Sequence, residues 1–115
     1  MAGGLHKYTV QEAQNAGLGQ LGCMFIDTAD PIVASTGMVF VAITFLTDVT
    51  FDASGGLIAE DSDLWANTEA AASPHDATGG VQIDASNTFP KGVTIYGRWS
   101  EIDLNSTGTL IAYLG

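Results

Sequence analysis

Arg98, within "YGRW" (96–99), is one of only three Lys or Arg side chains among 115 residues, set against thirteen carboxylates. A lone guanidinium can hold an anion, but in so acidic a chain it meets a carboxylate first, through charge-assisted hydrogen bonds. On a regular strand Tyr96 and Arg98 share one face and Trp99 takes the other. Trp99 is therefore expected in the core, with Arg98 laid along Tyr96 toward an acid. The carboxylates Glu60, Asp61, Asp63 and Glu69 of "EDSDLWANTE" invite a calcium reading, because calcium gathers oxygen ligands. They lack the glycine and the regular spacing of an EF-hand loop, so 60–76 reads as a solvated acidic loop. His6 and His75 stand in no metal-ligand spacing with each other or with Cys23. His75 has Asp76 beside it, but adjacent residues seldom pair as a dyad, and no "GxSxG" setting supports a serine nucleophile. The "GG" and "GLG" stretches lack the lysine and threonine of a phosphate loop. The chain reads as non-enzymatic, with no cofactor.

The chemistry that composition disfavours is equally specific. A net charge of −10 repels phosphate backbones and anionic lipid, so no nucleic acid and no membrane surface is expected as a partner. Hydrophobic residues make up 46%, enough for a core, and the length suits one domain. Only 14% of residues are charged, which fits an exterior covered in part by other protein better than a free monomer. Cys23, the single cysteine, excludes an internal disulfide, and its place in "CMFI" predicts a buried, inert thiol. "MAGGLHKYTV" lacks the order of a signal peptide, and "MVFVAITFL" is too short for a membrane helix. The protein is expected to be made in a cytoplasm and to stay soluble.

Glycines separated by clusters of β-branched and aromatic residues predict an all-β fold, a compact single-domain sandwich or barrel-like structure over 1–115. A short helical turn at 11–17 is the exception. The period-two pattern of 38–53 predicts a nearly continuous strand, apolar on both faces at first and on one face later. Phe45 is expected as a core anchor on it. The stretch 55–80, with little periodicity, reads as a long surface excursion held by Trp65 as an anchor. Ile95 and Trp99 share the core face of the next strand. A change of phase at Ser100–Glu101 predicts a β-bulge. The turn residues "NSTG" and the strand "TLIAYL" then close a C-terminal β-hairpin across 93–114.

The closing run "FPKGVTIYGRWSEIDLNSTGTLIAYLG" resembles the C-terminal segment of small virion structural proteins of tailed bacteriophages, particularly of marine and cyanobacterial hosts. The resemblance lies in Phe89, Pro90 and Gly92, in Val93 through Trp99, and in Gly108 with Leu110 to Gly115, about a quarter of the chain. It implies a β-rich, non-enzymatic particle component, foremost a head decoration (cement) protein. Such a protein sits on the capsid exterior, with the major capsid protein as partner and homotrimers at three-fold positions. A tail, neck or fibre-attachment component belongs to the same class.

The assembly reading places contacts at the chain ends and on the apolar first half of the 38–53 strand. The interface candidates are Leu5, Tyr8, Met38, Phe40, Tyr96, Arg98 and Tyr113. A different class, a carbohydrate-binding β-module with Trp65, Trp99 and Tyr113 as platforms, requires exposed aromatics in a groove.

Overall fold

The computed structural model describes residues 21–70 and 81–115. The helical turn expected at 11–17, the interface candidates Leu5 and Tyr8, and both histidines lie outside them. The described residues form six strands: β1 (Cys23–Ile26), β2 (Ile32–Val33), β3 (Phe40–Phe45), β4 (Leu57–Ala59), β5 (Thr94–Ile102) and β6 (Leu110–Leu114). Antiparallel pairing links them as β1-β6-β3-β5-β2, with β4 also on β5. The sheet curls into a half-barrel, and the fold is all-β.

β3 is the centre because its sequence, FVAITF, can be buried on both faces; five of its six residues are buried. It pairs with β5 on one edge and β6 on the other. The expected C-terminal hairpin is therefore wrong: β5 and β6 flank β3 and do not pair with each other. After Ile102 the chain bonds to the 49–52 segment instead of turning back. Phe51 bridges Leu104, and the Asn105 amide donates to the Thr50 carbonyl at 2.9 Å.

A continuous strand over 38–53 is likewise corrected. β3 stops at Phe45, where the Leu46 and Thr47 amides both turn to the Thr109 carbonyl. The chain then bends and returns to the sheet only as isolated bridges at Val49 and Phe51. The apolar face survives the bend, since Phe45, Val49 and Phe51 are all buried. The rings of Phe45 and Phe51 close the core with that of Phe89, whose centroid lies 5.2 Å from both.

Two register breaks decide which side chains reach that core. Ala59 pairs with Trp99 and Ile58 with Glu101, so Ser100 is the extra residue on β5. The break lies where the change of phase predicts it, and it lets Trp99 and Ile102 both point inward. The second break has no counterpart in the sequence reading. Phe40 pairs with Leu114 and Ala42 with the adjacent Tyr113, leaving Val41 extra. Adjacent strand residues face opposite ways, so Phe40 joins the inward set with Leu110 and Ala112. Phe40 is completely buried, which removes it as an interface candidate.

The described part of the 55–80 excursion, residues 55–70, is more structured than expected. Leu57–Ala59 forms β4 on β5. A fully buried Asn67 organises the loop after it. Its amide donates to the Ser62 and Trp65 carbonyls, and its side-chain oxygen accepts from the Glu69 and Ala70 amides. Thr68 then closes the outer edge of β4, exchanging hydrogen bonds with the Leu57 amide and carbonyl at 2.9 Å.

Candidate functional site

The outward face of the sheet is built from alternate residues of four strands. One row crosses it as Cys23, Tyr113, Ala42 and Tyr96, and the next as Phe25, Ile111, Thr44 and Thr94. None of these eight carries a charge, in a chain of net charge −10. Thr44 and Thr94 satisfy each other through a hydroxyl–hydroxyl hydrogen bond of 2.8 Å. Phe25 is 63% and Tyr96 70% exposed. Tyr113 and Ile111 are half-buried between them. The thiol of Cys23 is exposed on this face, which corrects the expectation of a buried one: β1 is a margin of the sheet, and odd positions there face out.

Arg98 projects from β5 beside this face, where its Nε and Nη2 donate to the two carboxylate oxygens of Glu60 at 2.6 and 3.2 Å. The Glu60 amide returns to the Arg98 carbonyl at 2.9 Å. The hydrogen bond from Arg98 holds the Glu60 carboxyl below its ordinary range, and Glu60 in turn raises the guanidinium. Both side chains remain nearly half exposed, so the pair fixes geometry more than it stabilises the fold. Arg98 is thus occupied by a carboxylate. Met38 is half-buried in the connection between β2 and β3.

Trp99 faces inward and is 2% exposed. A Cβ at Gly97 would stand 2.8 Å from two atoms of its ring. The glycine in "YGRW" therefore clears space for the indole of its own strand. The indole N–H donates to the Ala66 carbonyl at 2.7 Å. Ile95 and Trp65 are half-buried and pack against the core, and Phe45 is completely buried within it. Of the three platforms a carbohydrate module would need, only Tyr113 lies on the outward face.

The loop carboxylates act singly. Glu60 holds Arg98, Asp61 accepts from the Asp63 amide, and Glu69 accepts from the Gly55 amide. Among the described residues, no group of three or more His, Cys, Asp or Glu could hold a metal ion. Asn67 and Thr68 were missed in the sequence, although "NTE" after an apolar residue is a side-chain-to-backbone turn signal.

A second carboxylate group lies around Asp103. One of its oxygens is buried without a hydrogen-bond partner. Burial first, and then the charge of Asp52 and a hydrogen bond shared with it, raise the Asp103 carboxyl above the ordinary range, with Glu101 and Asp30 adding to the effect. An acid raised on folding contributes stability below its unfolded pKa of about 4 and loses it as pH rises through the folded value. Asp103→Asn is expected to raise the melting temperature at pH 7 and to match the wild type near pH 4. Thermal unfolding across that interval measures it; an unchanged difference at the two pH values would contradict the assignment.

No protein family, curated protein or solved structure matches the chain.

Proposed function

We propose that this chain is a non-enzymatic virion structural protein, a decoration protein that docks on the outside of a bacteriophage head and stabilises the shell. The observation that carries the reading is the uncharged two-row patch on the outward face of β1, β6, β3 and β5. Two exposed aromatic side chains, Phe25 and Tyr96, stand on it. Solvated sheet faces are normally polar, and an apolar face left open on a small domain serves contact with another protein. The carboxylates gather elsewhere, around Glu60 and Asp103, where a strong negative charge keeps the exterior of a particle away from nucleic acid. Binding only the assembled shell stabilises it by mass action, and a large contact surface suffices for that role. The closing segment's resemblance to virion proteins of tailed phages supports the same class. The tryptophans that a sugar-binding module would use are committed to packing. Counting the copies of the chain in purified particles tests the reading, because head, neck and tail positions differ in number.

A further inference from the structure

We propose that the edge of β1 left open by the described residues pairs antiparallel with β1 of a second copy of this chain, about a two-fold axis at Met24. The inference concerns the isolated protein and does not depend on a particle.

Two of the strands that border the sheet, β4 and β1, are finished differently. At one, Thr68 satisfies the outer amide and carbonyl of Leu57 on β4. At the other, β1 pairs only with β6 among the described residues. The Leu114 amide donates to the Gly22 carbonyl at 2.8 Å, which fixes the alternation along the ladder. Residues 22, 24 and 26 bond to β6, and the amides and carbonyls of Cys23 and Phe25 point to the open side. Such an edge is a template for another strand.

A two-fold at Met24 matches the open amides and carbonyls of one copy to those of the other. With Met24 opposite Met24 of the second copy, Cys23 of each copy stands opposite Phe25 of the other. Four backbone hydrogen bonds then form, two from each Cys23–Phe25 pair. Both Cys23 and Phe25 face outward, so the thiol and the exposed ring come together, a favourable sulfur–aromatic contact. Charge along the edge does not oppose this occupant. No charged residue lies between Leu21 and Ile26, so two strongly acidic copies meet along an uncharged stretch. The nearest acid, Asp27, falls opposite Leu21 of the other copy. The two Asp27 residues are then about 20 Å apart along the strands, beyond the screening length of about 8 Å. The pairing is isologous and gives dimers, in place of the trimers that the resemblance implies. A four-residue edge makes a small interface, so a weak dimer is expected and the concentrations to compare run from about 10 µM to 1 mM.

Sedimentation equilibrium of the full chain over that range tests the proposal. The expected result is a monomer–dimer equilibrium that Phe25→Pro abolishes, since proline at 25 removes only an outward-facing donor. Phe25→Lys, which leaves the backbone intact, is expected to weaken the dimer at least tenfold. In a Cys23→Ser background, Met24→Cys is expected to oxidise to a covalent dimer, because directly opposed non-hydrogen-bonded residues lie within disulfide reach. A monomer throughout the range, or a dimer untouched by both Phe25 variants, would overturn the proposal. So would amides of Cys23 and Phe25 that resist hydrogen exchange equally at every concentration, because the chain itself would then cover the edge.

Discussion

Trp99→Ala is expected to destabilise the folded chain by about 3–5 kcal/mol, the cost of deleting a large aromatic side chain from a packed core. Three losses combine at this position. The indole is 2% exposed, so nearly its whole surface leaves water on folding. Its strand position joins three elements, since Trp99 pairs with Phe40 on β3 and with Ala59 on β4. Its N–H also holds the Ala66 carbonyl, the tie between β5 and the 60–70 loop. Trp99→Phe restores much of the packing but leaves that carbonyl unpaired, and it should cost about 1–3 kcal/mol. Denaturant titration separates the two variants. A loss below about 1 kcal/mol for the alanine variant would contradict the placement of the ring.

The second large effect is expected at Asn67, a residue with no apolar surface to bury. Asn67→Ala removes four hydrogen bonds at once, those to the Ser62 and Trp65 carbonyls and those from the Glu69 and Ala70 amides. A buried group left unpaired costs about 1–3 kcal/mol, and some of these four can recover water, so a total near 3 kcal/mol is expected. Asn67→Asp keeps the two acceptor bonds but sets a buried carboxylate oxygen against the Ser62 and Trp65 carbonyl oxygens, so at pH 7 it should cost at least as much as alanine. Limited proteolysis supplies the local readout: cleavage within 60–70 should rise before global unfolding does. Resistance of that loop in Asn67→Ala equal to wild type would contradict its role as the hub.

These two residues mark how far the sequence could be read. Trp99 was legible because period two along 93–99 places it with Ile95, and Arg98 because a cation in an acidic chain seeks a carboxylate. The bulge at Ser100 was legible because Trp99 and Ile102 cannot share a face without an extra residue. Phe40 was not, since the break at Val41 depends on how β6 and β5 meet β3 from either side. The order of the strands was hidden for the same reason. A turn signal such as "NSTG" reports that the chain reverses, not which edge it finds, and the apolar centre of β3 offered two edges. Asn67 was obscured by composition: a loop rich in Ala, Ser and Asp reads as solvent-facing until its hydrogen bonds are counted. Cys23 looked buried because "CMFI" is apolar, but two of those four residues lie on the outward face of a marginal strand. The uncharged patch is visible only once the four strands stand side by side.

The proposed decoration role requires that a virus encode this chain, and its most direct test is the number of copies of the chain in purified particles of such a virus. Quantitative mass spectrometry against the major capsid protein gives that ratio. The account predicts hundreds of copies per particle, bound on the exterior and released before the shell itself dissociates. A few dozen copies or fewer would assign the chain to the neck or tail, and its absence from particles would contradict the decoration role outright.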